Sequence, residues 1–191
     1  MRITNDQANQ NRERVVDTAS RLFRERGFDG VSVADLMKAA GFTHGGFYNH
    51  FKSKGELSAE ALKRAFEQMA EERARAKDLV ELVSGYLSDV HRKSPGKGCP
   101  AITLAADASR RSDEVKSEFA KGVEEMIRTF EERLPHTMRG AARRRFAIAL
   151  VSRMVGALSL ARAIPEDNRL GGEIMRSARA ACKEAISSIC V

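Results

Sequence analysis

Apolar positions recur at helical spacing along nearly the whole chain, and capping residues and glycines divide them into about nine helices. After a polar arm, Val15, Val16, Ala19, Leu22 and Phe23 form one face and predict a first helix over about 11–26, closed by Gly27 in the left-handed region. Ser32, with Asp35 three positions on, predicts a capped second helix carrying Val33, Leu36, Met37 and Ala40 and ended by Gly41. The Thr43 hydroxyl is placed to cap a third, very short helix through Tyr48. Ser53 and Glu56 form an S-x-x-E box that opens a long fourth helix, with Leu57, Ala61, Leu62, Ala65, Phe66 and Met69 on one face. Continued through the charged run 71–77, it makes a rod of about 23 residues and roughly 34 Å.

The later pattern is also helical. Leu79, Leu82, Val83, Tyr86, Leu87 and Val90 predict a fifth helix, ended by the turn at 94–98. Pro100 suits the first position of a sixth, with Cys99 as its N-cap. Ser112, Asp113 and Glu114 open a seventh, striped by Val115, Phe119, Val123, Met126, Ile127, Phe130 and Leu134. An eighth is expected over about 140–164, stopped by Pro165, and a ninth over about 170–189. There is no repeat and no strand pattern. The first three helices are short and tightly capped, the later ones long, which predicts an all-α chain with a boundary between 1–54 and 55–191.

Composition narrows the class. The chain has 191 residues, 42% hydrophobic and only 6% aromatic, so it can bury a core without staples and is poorly suited to an all-β fold. The first ten residues lack the apolar region of a secretory signal. The apolar stretch 146–161 carries Arg153 and falls short of the ~18 uncharged positions of a spanning helix, so a soluble, cytoplasmic protein is expected. Cys99, Cys182 and Cys190 are odd in number and widely spaced, which argues for reduced thiols and against a disulfide framework or a zinc site; no cofactor or metal is expected. The net charge of +7 is densest at the start, with nine Lys/Arg against six Asp/Glu in residues 1–54, which permits a polyanionic partner.

The chemistry concentrates in the string GFTHGGFYNHFKSKGEL at 41–57. Two short helices joined through Ala40-Gly41-Phe42-Thr43 match a helix-turn-helix, whose glycine-containing turn sets one helix across the other. A helix selected for packing would not carry Gly45 and Gly46 in its interior, at about 1 kcal/mol each against alanine; one that lies close to a phosphate backbone would. Tyr48 and His50 can donate to phosphate, Lys54 stands at a helix N-terminus, Asn49 can pair with adenine and His44 with a guanine acceptor. Phe47 and Phe51 are expected as core anchors on the opposite face. His50 packed at the domain interior is the bland alternative, and Arg2, Arg12 and Arg14 read either as a minor-groove arm or as a solvated terminus.

Over 12–61, with LFRERGFDGVSV, ADLMKAAGF, THGGFYNHF and KSKGEL in succession, the sequence resembles the TetR (tetracycline-repressor-like) family of bacterial regulators. The resemblance implies an N-terminal three-helix helix-turn-helix DNA-binding domain and a C-terminal helical ligand-binding and dimerisation domain. It implies that Thr43, Gly45, Tyr48, His50 and Lys54 meet the DNA backbone and that His44, Gly46 and Asn49 lie near base edges. The expected function is a ligand-responsive transcriptional regulator, most simply a repressor that binds a palindromic operator in double-stranded DNA as a homodimer and is released by a small-molecule or electrophile effector.

For an effector cavity the candidates are Phe66, Met69, Tyr86, Val90, Ile102, Phe119, Val123, Met126 and Phe130, with ordinary core packing the alternative for each. Cys99 beside Lys97 is a candidate sensor thiol, with an inert small residue at a helix start as the alternative. Two stripes are expected to form a four-helix dimer interface: Phe146, Ala149, Leu150, Met154, Ala157, Leu158 and Ala161, and Ile174, Ala178, Ala181, Ala185 and Ile189. Burial within one subunit is the alternative. Two rival classes remain. A helical small-molecule-binding protein or enzyme with an incidental helix-turn-helix lacks any catalytic signature, Asp107 and the Glu124–Glu125 pair reading as solvated charges. A membrane-surface protein would use Arg143-Arg144-Arg145, although acidic residues intersperse the rest.

Overall fold

A computed structural model describes residues 5–189, and within them the chain is helical, without strands. Helix α1 (Asn5–Arg26) begins about six residues before the expected start. No glycine or proline interrupts 5–26, so the apolar face propagates its helix back through the polar arm, where Asp6 suits the positive end of the dipole. Arg12 and Arg14 therefore belong to α1 and are neither a reaching arm nor a frayed end: Arg12 lies 4.7 Å over the Phe51 ring and Arg14 5.6 Å over Phe42. Arg2 and Cys190 lie outside the described residues.

Gly27 (φ +74°) closes α1, and α2 (Val33–Ala40) opens with a full capping box between Ser32 and Asp35 and ends on Gly41 (φ +83°). The next segment, His44–Asn49, is a 3-10 helix, and Thr43 makes no side-chain cap to it. Two glycines in six residues weaken α-helix formation, and the tighter bonds Gly46 N–H to Thr43 O (3.1 Å) and His50 N–H to Phe47 O (2.9 Å) close the turns instead.

Helix α3 (Lys54–Ala74) is capped by Ser53, but Glu56 reaches back to the Lys52 amide (2.6 Å) and not to that of Ser53, so the box is half formed. It stops short of Lys77 because a new cap intervenes: Asp78 accepts from the Glu81 amide (2.7 Å) and Glu81 from that of Lys77 (2.6 Å). The expected fifth helix is two, α4 (Leu79–Tyr86) and α5 (Asp89–Lys93), because Ser88 caps the His91 amide (3.2 Å) and restarts the chain. The restart turns Val90 outward to 78% exposure. A 3-10 turn (Pro95–Lys97), α6 (Pro100–Thr103) and α7 (Ala105–Ala108) follow, with Cys99 at the N-cap position of α6. Then come α8 (Asp113–Glu132), α9 (Gly140–Ala163) and α10 (Arg169–Ser187).

Helix α3 packs on both α1 and α8, α8 on α9, α9 on α10, and α10 returns to α4, so one apolar core runs from Val15 to Ile186. The α3–α8 crossing is tight at Gly122, where an added Cβ would overlap the Phe66 ring; Phe66 meets Phe119 edge-on at 5.8 Å. Phe47 and Phe51 are core residues, as their spacing predicts.

The proposed dimer stripe on α9 needs correction. Leu150, Met154, Ala157, Leu158 and Ala161 are buried inside the single subunit, so they cannot meet a partner, and Ala149 is exposed. Phe146, Ile174, Ala178, Ala181, Ala185 and Ile189 are half-buried. The large apolar side chains of α9 and α10 that face outward are Ile148, Leu160 and Leu170. Helix α9 is also longer than the apolar stretch read from the sequence: an 18-residue window in it has mean hydropathy 1.5 and is long and apolar enough to cross a membrane. Its packing against α8 and α10 marks it as a core helix of the bundle. Of the adjacent arginines, Arg143 donates to the carbonyls of Glu131 (2.6 Å) at the end of α8 and of Leu134 (2.6 Å) just beyond it, and Arg144 pairs with Glu124 (2.6 Å) and Glu131 (3.4 Å). Glu124 and Glu125 are both exposed, as expected of solvated helix charges, and pair at the surface with Arg144 and Arg128.

Candidate nucleic-acid interface and cavity

The His44–Asn49 segment is held from behind and open in front. Phe47 and Phe51 plug it into the core 5.5 Å apart, and Gly46 sits on Met37 and Thr43. The other face presents Thr43, His44, Gly45, Tyr48 and Asn49 to solvent, with His50 and Lys54 half-buried at its exit. Tyr48 is 69% exposed although it is a large ring, supported edge-on by Phe47 at 5.2 Å. Gly45 has a negative φ, and a Cβ there would meet nothing within 4 Å. Nothing inside the chain requires glycine at this position, so its use is explained by something that approaches from outside.

Arg12 fixes the exit of the segment. Its Nε donates to the His50 carbonyl (3.4 Å), its Nη2 pairs with Glu60 of α3, and its guanidinium stacks on Phe51. The hydrogen bond to Glu60 raises the Arg12 pKa. Lys54 stands at the first turn of α3, where amide groups lack intrahelical partners; partial burial lowers its pKa, and Asp29 opposes the shift. Arg64 joins α3 to Asp17 (2.9 Å) and Glu13 of α1. The exit of the segment is thus tied through Arg12 to both α1 and α3.

Asp107 is not a solvated charge. Its Oδ2 accepts from the Phe28 amide (3.0 Å) in the α1–α2 turn, and beside it Arg111 pairs with Asp29 (2.5 Å) and lies 5.5 Å over Phe28. A second bridge is Arg24 of α1, buried, which donates to Gly98 O (3.1 Å) and Gln68 (2.6 Å); burial lowers its pKa to about 10.

A cavity of about 490 Å3 opens between the end of α3 and α4–α5. Of the candidates from the sequence, Met69, Tyr86 and Val90 line it. Met126 and Phe130 are fully buried in the core, and Phe66, Ile102, Phe119 and Val123 pack elsewhere, because the break at Ser88 moves the opening toward α4 and α5. Cys99 is fully buried, with Sγ 4.0 Å from Met126 Sδ, so it lacks the access that a sensor thiol needs. Cys182 is buried too, and burial raises its pKa.

Two wall residues were missed. Arg73 falls in the charged run 71–77, yet it lies four residues after Met69 and seven after Phe66, on the buried face of α3. His91 of α5 is a structural pivot. Its Nδ1–H donates to Tyr86 O (2.8 Å) and its Nε2 accepts from the Cys99 amide (3.0 Å), which fixes a neutral ring. Burial pushes its pKa down to about 4, and Arg162 adds to the shift.

A helix-turn-helix whose outward face is polar and glycine-relieved is thus joined through a long helix to a bundle with its own cavity. Comparison with known proteins agrees. Residues 15–61 match the bacterial regulatory proteins, tetR family. The chain is 27% identical to the HTH-type transcriptional repressor DhaR of Mycobacterium sp. (strain GP1) over 128 residues, 63% of this chain and 64% of that protein. It is 41% identical to the HTH-type transcriptional regulator AcrR of Shigella flexneri over 59 residues, 31% of this chain and 27% of that one. The matched part is thus under two thirds of either relative. The fold is shared with the reduced form of Escherichia coli NemR (TM-score 0.76, 22% identity, 92% of this chain and 96% of that one) and with a TetR regulator from Chloroflexus aurantiacus (TM-score 0.78, 23% identity, 95% and 96%). The family match is thus confined to residues 15–61, and over the rest of the chain the likeness is one of fold.

Proposed function

We propose that the protein is a ligand-responsive transcriptional repressor that binds a palindromic operator in double-stranded DNA as a homodimer. The observation that carries this reading is Gly45: an outward glycine in a helical turn, with no neighbour inside the chain, among Thr43, His44, Tyr48 and Asn49. Thr43, Gly45, Tyr48, His50 and Lys54 take phosphates and set the register, while His44, Gly46 and Asn49 lie at base edges, where two glycines leave part of the selection to DNA shape. Residues 1–54 form the DNA-binding unit and 55–191 the effector and dimerisation unit, α3 acting as the lever between them. The outward faces of α9 and α10, with Ile148, Leu160 and Leu170, supply the two-fold contact. Two recognition segments about 34 Å apart then read successive major grooves. A protein with this task works in the cytoplasm, and no catalytic step is assigned to it.

The test is selection of bound fragments from random duplex DNA, followed by titration at several salt concentrations. The expected result is one palindrome whose affinity falls steeply with salt and is lost in Gly45→Leu, which leaves the melting temperature unchanged. Enrichment of no palindrome would remove the proposal.

A further inference from the structure

The cavity wall contains a cation without a partner. Arg73 is only 4% exposed, its Nε and Nη1 make no hydrogen bond, and no carboxylate among the described residues is in ion-pair contact with it, Glu125 acting on it only from farther off. The rim carboxylates are engaged elsewhere, Glu72 with Arg75 (2.8 Å) and Glu81 with the Lys77 amide (2.6 Å). A second cation adds to the excess, since Arg133 donates to the Arg73 carbonyl (3.2 Å). Beside it the Tyr86 hydroxyl, on a residue 5% exposed, has no oxygen or nitrogen partner and only the Cys99 thiol nearby. Burial, with the Cys99 thiol nearby, holds the Tyr86 pKa well above its ordinary value, so it remains a donor. Both residues line the cavity, whose other walls include Met69, Leu82 and Val90.

Buried donors without acceptors are costly, and a buried charge without a counter-charge more so. Every unused group here is a donor, so the complement is an acceptor that carries negative charge. We propose that this cavity binds a small organic anion, an apolar body bearing a carboxylate that accepts from Arg73 and Tyr86. A volume of about 490 Å3 suits a molecule of that size. As the class of effector, this anion rests on the regulatory reading above; as a ligand, it does not. Its route to the DNA-binding unit is short: Tyr86 O holds His91, His91 holds the Cys99 amide, and the neighbouring Gly98 carbonyl holds Arg24 of α1.

The experiment is calorimetric titration of the full chain with 3-phenylpropionate and octanoate, each beside its neutral amide. The carboxylates should bind at least about tenfold tighter than the amides, as expected for hydrogen bonds to charged groups. That preference should vanish in Arg73→Met and shrink in Tyr86→Phe, which keeps the test available if the arginine variant does not fold. Equal binding of acid and amide, an undiminished preference in both variants, or no carboxylate binding up to about 10 mM would overturn the proposal. The same titrations on operator-bound protein separate the two readings. Carboxylate binding without DNA release leaves the anion site standing and removes its regulatory role; intact palindrome binding without carboxylate binding does the reverse.

Discussion

His91 makes stability depend on pH in a window where few other groups titrate. Its ring is neutral in the fold, with a pKa of about 4 against 6.5 for a free histidine, because burial and the facing Arg162 guanidinium outweigh the hydrogen bond to Tyr86 O, which favours the charged form. The unfolded chain takes up a proton first as pH falls, so the stability present above about 6.5 is lost progressively towards pH 4. Between pH 7 and 5 the loss is about 2 kcal/mol. With a urea dependence of about 2 kcal/mol per molar, the unfolding midpoint should move down by about 1 M. His91→Gln can keep one donor and one acceptor without the titration, so the difference between wild type and variant isolates this residue. A wild-type midpoint that falls no more than that of His91→Gln between pH 7 and 5 would refute the reasoning.

Two further predictions concern packing. Gly122→Val forces a side chain into the Phe66 ring and should cost about 1–3 kcal/mol; calorimetric melting should show the loss, and Phe66→Leu in the same chain should recover part of it. Leu160→Asp places a charge on the outward face of α9, where Leu160 is 59% exposed. It should yield a folded monomer by light scattering, whereas a dimer that still binds DNA would move the interface elsewhere.

The short elements were legible because their signals are local. The Ser32–Asp35 box, Gly27 and Gly41 at positive φ, the Ser53 cap and the Pro100 start are each satisfied within a few residues by backbone chemistry. The exposed face of the 44–49 segment was legible for the same reason, since Gly45 and Tyr48 contradict what a packing helix would use and so mark an outer surface. Less local was the choice between α and 3-10 turns at His44–Asn49, where two glycines and the anchoring of Phe47 act together.

Facing was decided by tertiary structure. The α9 stripe of Leu150, Met154 and Leu158 has the same periodicity whether it meets another subunit or its own core, and only the neighbouring α8 and α10 select the second. Asp107 and Arg73 show the converse. Each is a polar residue in a run that reads as solvated, yet one is drawn to the Phe28 amide by packing of α7 beside the α1–α2 turn, and the other is carried inside by the face that Phe66 and Met69 bury. Periodicity states which residues share a side of a helix. What lies opposite that side, whether core, cavity or solvent, is set by how the helices pack in three dimensions.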